Sequence, residues 1–261
     1  MVAFYQEANM DRFAKLRIYN AVMGFFHLIQ GLLMLWISND FSVPIKTSYL
    51  SFDIATKSIA PVIKEVTTVR VAPMVASFLF LSAFAHFLLA TVLFKWYVKN
   101  LKKGANYARW WEYMFSSSIM IVVIALLCGM FDLPSLILIF TCNAGMIMFG
   151  LMMELHNQTT EKTNWLSFIF GCVLGIVPWI VITMYFYGAA SSVDAIPSFV
   201  YAILVSLFIF FNIFAVNMVL QYKKVWKWKD YLFGESVYIL LSLVAKSLLA
   251  WQVWSGTMRP K

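Results

Sequence analysis

Seven runs of about 20 or more mostly apolar residues divide the chain, at 18–37, 71–93, 109–130, 134–155, 165–188, 198–221 and 237–255. Each is long enough, as a helix, to cross the roughly 30 Å of a bilayer's hydrocarbon core. Backbone polar groups find no water in lipid, so only helices and closed barrels span it. These runs are too long and too continuously apolar for barrel strands. The expected fold is therefore an all-α membrane protein, a seven-transmembrane helix bundle forming a single domain over residues 1–261. Apolar residues make up 62% of the chain and charged residues 12%, about half the usual charged share of a soluble domain. A soluble fold of this composition would have nowhere to put its apolar surface.

Charge gives the bundle an expected direction. Arg12, Lys15, Arg17, Lys95, Lys99, Lys102, Lys103, Lys162, Lys223, Lys224, Lys227 and Lys229 fall on one side, twelve basic residues in all. The other side holds six, Lys46, Lys57, Lys64, Arg70, Arg259 and Lys261. This imbalance places the N-terminus in the cytoplasm and the C-terminus outside a cell membrane. The segment before the first span carries Glu7, Asp11, Arg12, Lys15 and Arg17 with no cleavage pattern, so no signal peptide is expected. The net charge of +8 sits in short loops beside the spans and argues for membrane topology. The run 223–229, with Trp226 and Trp228, reads as an interfacial belt on anionic lipid and not as a nucleic-acid site.

The loop 38–70 is the one long connection. Its β-branched runs at 41–50 and 61–69 predict a short external β-hairpin, suited to capping the bundle or to a homodimer contact. Pro178 should bend the fifth span, whereas Pro73, Pro134 and Pro197 stand at span starts where a missing N–H is harmless. Cys128, Cys142 and Cys172 lie within spans, so no disulfide framework is implied. The pattern at Asn157-Gln-Thr159 matches a glycosylation acceptor but falls on the cytoplasmic side and is discounted.

Lys246 lies near the middle of the last span. An ammonium at mid-bilayer costs about 3 kcal/mol on insertion scales and marks a functional position. Glu112 is its expected partner, read as the only carboxylate well inside another span. Ser242 lies one turn before Lys246, and Arg109, Glu112 and Ser116 share a face of the third span. His27, Gln30, Ser82, His86, Asn143 and Asn212 add polar atoms that should turn inward and find one another. Taken singly, the Ser and Asn residues read as ordinary helix packing, and the histidines equally as a proton-accepting pair or as satisfied core residues. A Lys–Glu pair that is only structural is often no better than apolar packing, which favours a functional role here. No Cys/His spacing resembles a metal-ligand set.

These residues bring the chain to a known family. A seven-helix bundle with a lysine in its last helix and a carboxylate in its third resembles the retinal-binding rhodopsins, and more closely the heliorhodopsins. Phe26-His-Leu-Ile-Gln30, Leu81-Ser-Ala-Phe-Ala-His-Phe87, Arg109-Trp-Trp-Glu-Tyr-Met-Phe-Ser-Ser-Ser118, Gly171-Cys-Val-Leu-Gly-Ile-Val-Pro-Trp-Ile180 and Leu241-Ser-Leu-Val-Ala-Lys-Ser-Leu-Leu-Ala-Trp251 carry the likeness. It runs through all seven spans and includes the inverted topology. The resemblance implies all-trans retinal on Lys246 as a protonated Schiff base, with Glu112 as counterion. Ser82, Ser242 and Ser116 would bond the charged region, and Met120, Asn143, Trp179, Phe210 and Phe211 would cage the polyene. His27, His86, Arg109 and Tyr113 would form the proton-accepting cluster.

Light-driven proton pumps share the arginine three residues before the counterion. They also carry a second carboxylate four residues before the lysine, where this chain has Ser242, and a donor carboxylate eleven after the counterion, where it has Val123. The expectation is a light sensor, not an enzyme, with a slow photocycle, internal proton transfer and an unidentified cytoplasmic partner. Its rivals are light-gated or light-driven ion transport, and a pigment-free proton-relay transporter or membrane enzyme.

Overall fold

The computed structural model describes the backbone of residues 2–191 and 196–259, and side chains from residue 11 onward within those ranges. Lys261, counted above toward the outer face, and the Glu7 side chain lie outside the described residues.

The helices are α1 (Val2–Ile37), α2 (Val71–Ala90), α3 (Phe94–Leu101), α4 (Tyr107–Leu127), α5 (Leu133–His156), α6 (Leu166–Ala190), α7 (Ser198–Tyr222) and α8 (Tyr231–Val253). Seven of them, all but α3, are long and apolar enough to cross a membrane. Short polar residues start several of these helices by accepting orphan backbone N–H groups. Asn106 accepts from Arg109 N, Asp132 from Ser135 N and Asp230 from Leu232 N.

That last cap corrects an expected boundary. The final helix begins at Tyr231, six residues before the expected start, because Asp230 stops the preceding loop and caps it. A second correction falls in the basic segment after α2, expected as a loop. It forms α3, with Tyr97 and Leu101 buried and Lys95 and Lys99 exposed on the other face. The first helix likewise reaches back to Val2.

Small residues let the helices approach closely. Gly24 and Gly31 of α1, seven apart, face Phe87 and Phe80 of α2, also seven apart and in reversed order; a Cβ on Gly31 would collide with the Phe80 ring. On α6, Gly171 and Gly175 receive Phe149 and Met146 of α5. Pro178 is buried inside α6.

The loop 38–70 folds as the expected hairpin, β1 (Ser42–Asp53) and β2 (Ser58–Arg70), antiparallel from Ser42↔Arg70 to Asp53↔Ser58 with a bulge at Ile45/Lys46. Its base is docked: Val43 and Ile45 are buried, and Lys46 N donates to Phe131 O at 2.8 Å. Its tip turns on Asp53, which accepts from Ala55 N at 2.8 Å, and this bond holds the carboxyl below its usual range. Leu50, Phe52, Ile54, Ile59 and Ile63 remain exposed on the outer half. The main apolar core, around Phe78, Leu79, Ile121, Ile124 and Leu249, fills the hairpin end of the bundle. The opposite end is built around polar groups.

Candidate functional site

Lys246 and Ser242 lie one turn apart on the buried face of α8. Lys246 Nζ donates to Ser242 Oγ at 2.7 Å and to Glu112 Oε1 at 3.1 Å, with Oε2 at 3.4 Å. Both side chains of the ion pair are at least nine-tenths buried. Ser82 of α2 has one hydroxyl proton and two acceptors in reach, Glu112 Oε1 at 2.6 Å and Phe78 O at 3.0 Å. The charged acceptor gives the stronger bond, so Ser82 steadies the same carboxylate oxygen that the lysine approaches most closely. The Tyr113 ring lies 5.0 Å from Nζ, a cation–π distance.

His27 and His86 stack with ring centroids 5.5 Å apart. Asn20 Nδ2 donates to Leu16 O, which turns its Oδ1 toward His86 Nδ1 at 2.8 Å and makes that nitrogen the donor. His27 is fully buried, and neither ring nitrogen has a hydrogen-bond partner among the described residues. Ser116 Oγ is likewise buried without one.

Arg109 does not join this cluster. One turn before Glu112, its side chain runs toward the end opposite the hairpin and bridges two buried carboxylates, Glu154 of α5 and Glu235 of α8. Asn106 and Tyr97 also donate to Glu235, and Trp110 and Tyr231 to Glu154. The Tyr238 ring covers the guanidinium at 4.0 Å. Glu112 is therefore not the sole internal carboxylate. Glu154 fell in an expected span but near its end, where exposure is the usual outcome, and Glu235 fell before the expected start of the last one. Asp230 as a helix cap was the signal that would have moved Glu235 inside.

Of the expected cage, Trp179 and Phe211 meet edge to face at 5.5 Å. They line a cavity of about 280 Å³ between α5, α6 and α7, together with Tyr113, Met146 and Phe214. Met120 is in the apolar core, and Phe210 packs against that core without lining the cavity. Asn143 donates to Ser117 Oγ at 2.8 Å and Ser118 Oγ at 3.0 Å. One polar residue expected to turn inward does not: Gln30 bonds Phe26 O and Trp251 Nε1 toward the outside. Asn212 borders the cavity, although it is exposed and its amide donates to Phe208 O one turn back. Among the described residues no group of three His, Cys, Asp or Glu could hold a metal.

These residues fit a retinal-type chromophore. The cavity approaches the lower end of usual ligand-pocket volumes, about 300 Å³, and is walled by aromatic and Met side chains. Tyr113 joins it to the lysine. A mid-span lysine held against a buried carboxylate, beside an apolar slot in a seven-helix bundle, defines the class of retinal-binding rhodopsins. The heliorhodopsin family model matches residues 16–258. The chain belongs to the heliorhodopsins and is a retinal-binding photoreceptor of the rhodopsin type. No curated protein matches it at a significant level.

Proposed function

We propose that the protein is a light sensor in which Lys246 carries all-trans retinal and Glu112 is the counterion. The observation that carries this reading is the buried chain Ser242–Lys246–Glu112–Ser82, in which an amine beside the apolar slot faces one fixed anion. Bound retinal would supply light absorption and a protonated Schiff base at Lys246 Nζ. Glu112 balances that charge, because an opposite charge within about 4–6 Å favours the protonated form. Ser82 and Ser242 fix both partners, and Trp179, Phe211 and Tyr113 exclude water from the slot.

A proton released toward Glu112 meets His86 and His27 next, and a neutral histidine is a suitable transient store. No carboxylate takes the place of Ser242 or Val123, so vectorial reprotonation lacks its usual residues and the photocycle is slow. The basic excess at the end opposite the hairpin supports a cytoplasmic N-terminus and an outer C-terminus. Signals then leave through basic cytoplasmic loops to a partner, and the exposed apolar strands of the hairpin support a homodimer. Visible spectra of membranes prepared with and without retinal test the pigment. Cross-linking of single cysteines placed at Leu50 or Ile63 tests the dimer. A chain that stays colourless with retinal would overturn the reading in favour of a pigment-free proton relay.

A further inference from the structure

Between the Lys246–Glu112 pair and the Arg109 cluster lies a small cavity of about 30 Å³, whose lining includes Glu112, Ser82 and His86 as well as Arg109, Asn106 and Glu235. This is room for about one or two water molecules, and water occupies such cavities when several polar groups converge on it. A second observation points the same way. Arg109 lines this cavity, and its buried Nε has no hydrogen-bond partner among the described residues. A buried guanidinium N–H left unpaired is costly, and a water bonded to it would stand between the two carboxylates.

The charges on the far side do not balance. Glu154 and Glu235 share the single cation Arg109, which leaves one negative charge in a site where all three side chains are at most 3% exposed. The Lys246–Glu112 pair, by contrast, is neutral. An uncompensated buried anion is strongly unfavourable, and one proton on a carboxylate removes it.

We propose that Glu235 is a second proton-holding carboxylate of this protein, connected to Glu112 through the water-sized cavity. The transfer starts from ionised Glu235: the O–H bond at Glu112 breaks as a water O–H forms. That water then gives a different proton to Glu235, so one proton moves and no other reactant is needed. The groups facing Glu235 are Tyr97 of α3, Arg109 of α4, Glu154 of α5 and Tyr231 and Tyr238 of its own helix. Across the cavity stand Glu112, with Lys246 behind it, and His86 of α2. From α1 and α7 come the uncharged Asn20 and Asn217 and, beside Glu154, Tyr222. Glu154 also lines an open pocket of about 330 Å³ with Lys103, Lys224 and Lys229, so the cluster has a solvent-side neighbour. The inference rests on Lys246–Glu112 being the light-switched pair, but only for its light-driven half.

Infrared spectroscopy separates the two halves. In retinal-free protein labelled with carbon-13 glutamate, a pH titration should show a buried, slowly exchanging glutamic-acid carbonyl band. Glu235→Gln should abolish it and Glu112→Gln should leave it. Tyr97→Phe, which removes one hydrogen bond to Glu235 with little change of shape, should shift its frequency even where Glu235→Gln fails to fold. In the pigment, at a pH where the dark titration finds Glu235 largely ionised, the same band should rise on illumination. Ala85→Leu, which fills the cavity wall from α2, should abolish that rise while leaving the dark titration intact. A band untouched by Glu235→Gln and Tyr97→Phe, or a light-induced rise that survives Ala85→Leu, would overturn the proposal. Failure to form pigment would reject the retinal reading while the retinal-free titration still decides Glu235.

Discussion

Arg109 and Glu112 stand one turn apart on α4 and belong to different buried ion pairs, Arg109 to Glu154 and Glu235, Glu112 to Lys246. The helix thus carries two charge systems with opposite surroundings. The Glu112 system borders the apolar slot and holds one cation against one anion. The Arg109 system, nearer the end opposite the hairpin, ties α4, α5 and α8 together with tyrosine, tryptophan and asparagine donors.

Lys246→Ala should remove the only amine that reaches Glu112 among the described residues. The variant is expected to fold less stably, because Glu112 loses its cation, and to show no visible band when reconstituted with retinal. Absorption spectra before and after hydroxylamine check this, and a bleachable visible band in the variant would place the chromophore elsewhere.

Glu112→Gln should remove the anion facing Lys246 Nζ at 3.1 Å. Much of the pigment is then expected to absorb in the near-ultraviolet at neutral pH. The visible form should return, red-shifted, at lower pH or with a bound anion. A spectrophotometric pH titration that superimposes on wild type would show that another anion serves.

The seven spans and the hairpin were legible because lipid and strand pairing impose simple patterns: long apolar runs, and β-branched alternation between 41 and 69. Lys246 was legible because it is the lone charge in such a run, and Glu112 because it is the one carboxylate in its own. Glu154 and Glu235 were not read as buried because they stand near helix ends, where sequence cannot separate a solvated charge from one folded inward. Burial there depends on α3 covering the end of the bundle with Tyr97, and on Asp230 starting α8 early. Gln30 shows the reverse case, a polar residue in a span that bonds toward the outside of the bundle.

Arg109→Leu should strand two buried carboxylates. Breaking a buried ion pair from one side costs about 3–5 kcal/mol, so a large drop in the thermal midpoint of detergent-solubilised protein is expected. Adding Glu154→Gln and Glu235→Gln to the same chain should recover much of it. If the single variant unfolds like wild type, the cluster contributes nothing to stability.

Gly31→Leu should force α1 away from the Phe80 ring. Overpacking of this kind costs about 1–3 kcal/mol. The thermal midpoint should fall, and Phe80→Ala in the same chain should restore part of the loss by opening the space. A purely additive double variant would mean that the two positions do not contact each other in the membrane.

Light should move a proton within the protein without carrying one across it. Among the described residues the Lys246–Glu112 pair has buried carboxylates beyond it on one side only, across the small cavity toward Glu235 and Glu154. On the hairpin side Phe78, Leu79, Ile121, Ile124 and Leu249 form a continuous apolar core. A proton that leaves toward Glu112 therefore has polar stores on the side opposite the hairpin and no buried acid among the described residues to bring another from the hairpin side. It returns the way it left. Sealed liposomes holding the pigment should show no sustained pH change under continuous illumination, with or without an uncoupler. Voltage-clamped cells should show no stationary photocurrent. A transient signal from a pH dye at the basic end, with kinetics matching the photocycle, would be compatible with exchange through the pocket beside Glu154. A steady, uncoupler-sensitive shift would make the protein a transporter and reject the sensor reading.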